Sequence, residues 1–251
     1  MKKKLQTLSC NSPEDIRKFF DASAQDYKEQ HGDAQRLFNY RLKVIYESLQ
    51  FQKTEVLLDV GCGTGQHLFA LAPYIKRGIG IDFSSKMIEI ARSIQKREMA
   101  AVNLTFQIDQ AQLLQTIPKE SVEVVLCVGS FEHMPQKEQV LHQIQRVLKN
   151  SGRLLLLTPN GNFLWYRFIA PFFRIDIRHL SSDEFITAEW LESLSQVSGF
   201  AGIKIGFWTF IPKGDMPWFW VIIVTGLDWL GKIFLPRYLR SGLVFRADKI
   251  I

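Results

Sequence analysis

Leu57-Leu58-Asp59-Val60-Gly61-Cys62-Gly63-Thr64-Gly65 is the stretch from which the rest of the chain can be read. A short apolar run over 56–60 predicts a strand, and three glycines at alternate positions follow it directly. Glycines placed there let the backbone turn tightly and let a ligand approach without side-chain obstruction. The stretch 66–74 then predicts a helix. Outward from this unit, 78–82 predicts a second strand and 84–97 a helix. The apolar runs 102–108 and 122–128 predict two more strands. A helix over 137–148 leads to Asn150-Ser151-Gly152, and 153–158 predicts a fifth strand. Continuous apolar strands separated by helices imply a parallel sheet covered on both faces.

Before the glycine loop, Ser12-Pro13-Glu14-Asp15 reads as a helix start, with Ser12 as cap and Pro13 at the first helical position. A second helix carries Leu37, Tyr40, Leu42, Val44, Ile45 and Leu49. After Pro159 the regularity breaks. An aromatic-rich insertion covers 160–180, a helix is predicted over 187–198, and strands over 203–210 and 243–249 enclose a second insertion. The expected fold class is α/β, a Rossmann-like doubly wound sheet. One domain is expected over 1–251: an N-terminal helical cap (1–54), a ligand-binding core (55–158), and substrate-side insertions with the final strands (159–251).

Composition narrows the function classes. The chain has 251 residues, 47% hydrophobic and 22% charged, as in folded soluble proteins. Its formal net charge is +6, part of it in Lys2-Lys3-Lys4. No dense Lys/Arg cluster with interleaved aromatics appears, which argues against nucleic acid as a partner. Cys10, Cys62 and Cys127 form no C-x-x-C pair, so neither a zinc site nor a disulfide framework is expected. A reduced, cytoplasmic setting fits this usage. The basic start lacks the apolar stretch of a signal peptide.

The ligand is read from charges around the loop. Asp82, at the end of the second strand, can accept hydrogen bonds from both hydroxyls of a ribose. The loop reads G-x-G-x-G, whereas the dinucleotide fingerprint has its third glycine one position later. Asp59 points a negative charge towards the loop, which repels a pyrophosphate and suits a ligand bearing an ammonium and a sulfonium. S-adenosylmethionine is the cofactor this combination favours.

On these residues the chain resembles the class I S-adenosylmethionine-dependent methyltransferases of small-molecule type. The resemblance rests on LDVGCGTG (58–65), GIDFS (80–84), FQIDQAQLL (106–114), VVLCVGSFEHMP (124–135) and LKNSGRLLLLTPN (148–160). It implies a sheet of about seven strands, the last antiparallel, with N-terminal helices and C-terminal aromatic insertions. It also implies that Gly61, Cys62 and Gly63 approach the methionine part, Asp82 the ribose, and Phe83 and Met87 the adenine. Asp109 would accept from the adenine amino group, with Gln110 and Ala111 beside it. Many members show acid-Ala-acid here, and Gln110-Ala111-Gln112 fits that frame with Asp109 one position early, so Gln110 stands as the alternative acceptor. Val128 and Gly129 would lie near the methionine ammonium, and Tyr27 would close over that end.

Methyl transfer needs alignment and exclusion of water more than acid catalysis, and a base only for an acceptor that must lose a proton. His133, just past the fourth strand, is the candidate base, with an architectural role as the alternative. The Phe131-Glu132-His133 string is also similar to cyclopropane fatty-acid synthases, from which Thr64 departs. His179, Trp165 and Trp218 are the candidate acceptor contacts. His67 reads as structural, and no metal site stands out. The stretch 217–235 is apolar but interrupted by Asp228 and Lys232, which argues against a span. It reads either as a lid or interface packed on the core, or as an interfacial segment making peripheral membrane contact on the cytosolic face.

Three functions remain open from sequence. The first is methylation of a bulky, apolar small-molecule acceptor such as a quinone, isoprenoid or lipid-linked intermediate. The second is methylation of a soluble metabolite, sugar or peptide group. The third is a non-catalytic partner subunit, against which the intact set Asp59, Gly61, Gly63 and Asp82 argues.

Overall fold

The computed structural model describes residues 12–25, 34–98, 103–169, 183–208 and 236–250, together with positions 172, 222 and 226. Helix α1 (Pro13–Ser23) starts as the sequence predicts: the Ser12 hydroxyl accepts the Asp15 N–H at 3.2 Å, and Pro13 takes the first turn, where a missing N–H is harmless. Helix α2 (Ala34–Leu49) follows, and then the alternating core: β1 (Val56–Val60), α3 (Gln66–Leu71), β2 (Arg77–Asp82), α4 (Ser85–Glu98), β3 (Leu104–Ile108), β4 (Val122–Val128), α5 (Lys137–Val147) and β5 (Leu148–Pro159). Helix α6 (Ala188–Val197), capped by the Thr187 hydroxyl, leads to β6 (Phe200–Trp208) and β7 (Gly242–Lys249).

The seven strands form one sheet in the order β3-β2-β1-β4-β5-β7-β6. Strands β1 to β5 pair in parallel, and β7 runs antiparallel to both β5 and β6. The expected Rossmann-like sheet with an antiparallel last strand is therefore the architecture. Side-chain alternation divides the core in two. Val122, Val125 and Cys127 of β4 face Val140, Leu141 and Ile144 of α5 and Leu191 of α6. Val124, Leu126 and Val128 face Ile45 and Leu49 of α2, Leu68 and Leu71 of α3, and Ile88 and Ala91 of α4. Each fully buried aliphatic or aromatic side chain contributes about 1.5–3 kcal/mol, so both apolar faces of the sheet hold the helices in place.

Three boundaries differ from the sequence expectation. The α-helix after the glycine loop ends at Leu71, and 72–74 tightens to a 3-10 turn because Pro73 has no N–H to continue the ladder. Strand β5 starts at Leu148, not at 153: Leu148 pairs with Val122, and Asn150-Ser151-Gly152 is absorbed as an irregularity inside the strand. Strand β6 starts at Phe200, directly after Gly199, with a bulge between Ala201 and Lys204. Its expected end at 209–210 lies outside the described residues.

Strand order reverses between β1 and β4, so a crevice opens outside their carboxyl ends, the place where open α/β sheets bind ligands. Helix α1 is fastened over this crevice. The Ser84 hydroxyl donates to Asp21 Oδ1 at 2.5 Å, and Phe20 packs edge-on against Phe83 and His133, with ring centroids 5.9 and 5.3 Å away.

Candidate active site

A cavity of about 400 Å³ fills the crevice, within the range of roughly 300–1,000 Å³ usual for small-ligand sites. Its floor is the glycine loop. Gly63 has φ +54°, its N–H donates to Asp82 Oδ2 at 2.9 Å, and a side chain added there would stand in open space. This is a cradle that any Cβ would fill. At the end of β4, Gly129 has φ +61°, and an added Cβ would meet an Arg41 guanidinium nitrogen at 2.8 Å. The chain thus brings a guanidinium down onto the strand end where only glycine leaves room.

Asp82 is buried, and both of its oxygens are already oriented: Oδ2 by Gly63 N–H and Oδ1 by Ser84 N–H, each at 2.9 Å. Burial pushes its pKa up to about 6, against the pull of those backbone donors and with a further push from the Asp21 charge. Each oxygen keeps a lone pair for a ligand hydroxyl. Asp109 also lines the cavity. Its Oδ2 takes the Thr116 N–H and hydroxyl at 2.8 and 2.6 Å, and its Oδ1 takes the Gln110 N–H at 2.7 Å. Gln110 Oε1 accepts from Gln112 Nε2 at 2.8 Å, so both candidate adenine acceptors are held by their own loop.

Asp59 stands differently from its sequence reading. It lies behind the loop, 1% exposed, outside the set of described residues that line the cavity, and its Oδ2 has no hydrogen-bond partner among the described residues. Burial, and then repulsion from Asp82, push its pKa up to about 8. At neutral pH the ligand-free protein therefore holds Asp59 protonated, and a fixed negative charge at the loop is corrected to a latent one. A cation brought close to it lowers that pKa and favours the ionised form at neutral pH.

His133 also lines the cavity, and its Nδ1 lies 2.6 Å from Asp183 Oδ1. Burial pushes the imidazole pKa down, but the Asp183 hydrogen bond and the Glu132 charge outweigh it, and the net shift is upward. Glu132 itself turns into the core, where its Oε2 accepts the Thr158 hydroxyl at 3.1 Å. Lys137, nearly buried, spans Glu184 (2.9 Å) and the Met134 carbonyl (3.0 Å), tying the loop of Asp183 to the start of α5. The arrangement is a carboxylate–imidazole pair, in which Asp183 orients the ring through Nδ1.

Of the residues expected from sequence, Gly61, Cys62, Gly63, Asp82, Phe83, Met87, Asp109, Gln110, Ala111, Val128, Gly129 and His133 all line this one cavity. Trp165 does not: it is 39% exposed and not among the described residues of the lining. Tyr27, His179 and Trp218 lie outside the described residues. Sequence reading missed Phe20 of α1, Phe38 and Arg41 of α2, and His67, all of which line the cavity, and Asp183 behind His133. An arginine amid the apolar positions of α2 was the one available signal. Among the described residues no group of His, Cys, Asp and Glu could hold a metal ion, and no helix is long and apolar enough to cross a membrane.

A family model described as a methyltransferase domain matches residues 51–199. The chain is 28% identical over 138 residues to the uncharacterized methyltransferase YcgJ of Bacillus subtilis, covering 55% of this chain and 53% of that one. It is 30% identical over 156 residues to a ubiquinone biosynthesis O-methyltransferase of Coxiella burnetii, covering 61% of this chain and 64% of that one. The chain thus spans roughly half to two thirds of the length of these relatives. In fold it is similar to the crystal structure of the cyclase SpnF, with a TM-score of 0.71, 18% identity and coverage of 99% of this chain and 100% of that one. With the family match reaching from just before β1 to the end of α6, and the glycine cradle and Asp82 in place, the chain belongs to the methyltransferase domain family and carries the class I fold of S-adenosylmethionine-dependent methyltransferases.

Proposed function

We propose that the protein transfers a methyl group from S-adenosylmethionine to a hydroxyl of a bulky, apolar small-molecule acceptor, with His133 as the general base. The observation that carries this reading is one cavity running from Asp82 and Asp109, past the glycine cradle and Gly129, to a histidine whose Nδ1 is held by Asp183.

The residues present fit the cofactor. Asp82 accepts from the ribose hydroxyls, and Phe83 and Met87 flank the adenine. Asp109 Oδ1, which takes one internal donor, accepts from the adenine amine. The Gly63 cradle admits the methionine chain, and Arg41 pairs with its carboxylate. Asp59 becomes the counter-charge behind the loop. When bound, the cofactor supplies an electrophilic methyl on a sulfonium, which is a good leaving group. His133 removes the acceptor's proton as the oxygen attacks, and Phe20 and α1 keep water out. The likeness to the ubiquinone biosynthesis O-methyltransferase of Coxiella burnetii supports a quinone-type acceptor. Transfer of labelled methyl groups to a panel of apolar phenols, compared with soluble amines and sugars, tests the acceptor class. Labelling of the amines or sugars alone overturns the apolar reading.

Replacing Asp82 by Ala removes hydrogen bonds to an ionised acceptor and weakens cofactor binding by about 1.5–3 kcal/mol, roughly tenfold to hundredfold. Because ribose hydroxyls favour the ionised form, wild-type affinity falls as pH drops through about 6, and the variant lacks this step. Calorimetry with S-adenosylhomocysteine reads both effects. Unchanged affinity in the variant removes Asp82 from the site.

An apolar acceptor also accounts for the outer surface. Phe168, Phe172 and Ile222 are 57%, 80% and 62% exposed, and the Arg167 guanidinium sits 5.4 Å over the Phe168 ring. Most of 217–235 lies outside the described residues. With aromatic anchors and a net charge of +6, the protein is expected to float with anionic liposomes at low salt and to be partly released at high salt. Failure to float in either condition leaves these residues as a lid.

A further inference from the structure

Lys137 is the first residue of α5 and only 7% exposed, an unfavourable place for a cation on two counts. Burying an ammonium is costly unless protein groups replace its water. The first turn of a helix is also the positive end of its dipole, where a cation is disfavoured. Gln136 before it has φ +53° and gives no side-chain cap, so this helix start is not built for stability. An apolar side chain of similar length would fill the place without burying a charge. What the lysine contributes lies in its contacts.

Those contacts bracket the His133–Asp183 pair. Lys137 Nζ donates to the carbonyl of Met134, the residue after His133, and pairs with the carboxylate of Glu184, the residue after Asp183. On the other side, the Glu184 N–H donates to the carbonyl of Glu132, the residue before His133, at 3.2 Å. Phe185 then stacks on Tyr166, with ring centroids 4.7 Å apart, and continues the same short segment into the core. The two chain segments that carry the imidazole and its carboxylate are thus joined by one backbone bond and by one buried ammonium. We infer that Lys137 is a positioning residue: it staples the Asp183 segment to the His133 turn and so sets the contact between carboxylate and ring. The inference rests on the reading of His133 as the base and adds to it the group that keeps the pair aligned. A misplacement of a fraction of an ångström in such a pair is felt in turnover and not in cofactor binding.

The test uses the full chain, S-adenosylmethionine and the phenol that accepts best. Lys137→Met is expected to lower kcat about tenfold, with KM for the cofactor unchanged and the melting temperature kept or raised. In protein that already carries Asp183→Asn, the same replacement is expected to cost nothing further, because no carboxylate is left to position. A loss of the same size in that background means that the lysine acts by its charge on the imidazole, and it overturns the inference. So does wild-type turnover in Lys137→Met while His133→Ala is impaired. Wild-type turnover in His133→Ala overturns the base reading instead. Proton NMR gives an answer that needs no activity. The His133 Nδ1–H, assigned by its loss in His133→Ala, is expected far downfield, as a short charge-assisted hydrogen bond requires, and to move upfield in Lys137→Met. A lysine with a merely structural role leaves that signal in place. Should Lys137→Met fail to fold, Glu184→Ala, at a side chain 71% exposed, gives the same readings with a smaller loss of about threefold in kcat. An unmoved signal with unchanged kcat in that variant overturns the staple.

Discussion

Replacing His133 by Ala lowers turnover on the order of a hundredfold or more, with cofactor affinity nearly unchanged. Its Nδ1 is fixed at 2.6 Å from Asp183 and the ring lines the cavity, so in the proposed reaction the imidazole meets the acceptor. The direction of its pH dependence follows from its surroundings. Burial alone would push the pKa down, but Asp183 and Glu132 raise it above the ordinary histidine value. A base works only when deprotonated, so turnover climbs with pH through a midpoint above that value. Replacing Asp183 by Asn removes the anion that offsets burial. The midpoint then moves to lower pH and turnover falls by roughly tenfold or more, because the ring loses part of its orientation. Turnover measured against pH for the three proteins distinguishes this from a packing role. If His133→Ala keeps its turnover and loses only melting temperature, the histidine is architectural.

Asp59→Asn changes stability more than any other single replacement considered, and in a pH-dependent way. The folded protein holds the Asp59 proton up to about pH 8, whereas the unfolded chain releases it near the ordinary carboxylate value of 3.8. The folded state therefore binds more protons between these limits, and stability falls as pH rises across them by up to about 1.4 kcal/mol per pH unit. Below the lower limit the contribution is fully present; above the upper one it is gone. Asn keeps the size and has no proton to lose, so the variant lacks this slope. Relative to wild type it gains stability at pH 8 compared with pH 5. Urea unfolding at both pH values reads the difference, in which groups common to the two proteins cancel. Parallel pH profiles would remove the latent charge from the site. A further consequence is that cofactor binding near pH 7 releases a proton in wild type but not in the variant, visible as a buffer-dependent heat.

The order of strands and helices from 55 to 158 was legible because each element carries its own local pattern. Unbroken apolar runs such as 124–128 mark strands buried on both faces, and the glycines between β1 and α3 mark a turn that other residues cannot adopt. The Ser12 cap and the Thr187 to Gly199 helix were legible for the same reason, since capping is chemistry between near neighbours. Boundaries failed where pairing overrode pattern. Leu148 joins β5 because Val122 lies opposite it, although Asn150-Ser151-Gly152 reads locally as a turn.

The cofactor side of the site was equally legible, because Gly61, Gly63, Asp82, Asp109 and Gly129 all sit at ends of predicted strands, and parallel strands bring those ends together. The electrostatics were not. Nothing local to Asp59 shows that it is sealed behind its own loop and left without a hydrogen-bond partner for Oδ2, which makes a formal charge a protonated acid at neutral pH. Nor does anything near His133 point to Asp183, fifty residues away and delivered by the loop that Lys137 fastens through Glu184. Arg41 and His67 both reach the cavity only because α2 and α3 pack on the same face of the sheet. By itself the sequence determined the strand-turn-helix grammar and the glycine cradle, since these depend on backbone freedom and on the spacing of apolar side chains. Only the tertiary structure decided which buried groups are charged and which histidine has an oriented partner, since pKa and hydrogen bonding are set by whatever distant residues share the same small, water-poor volume.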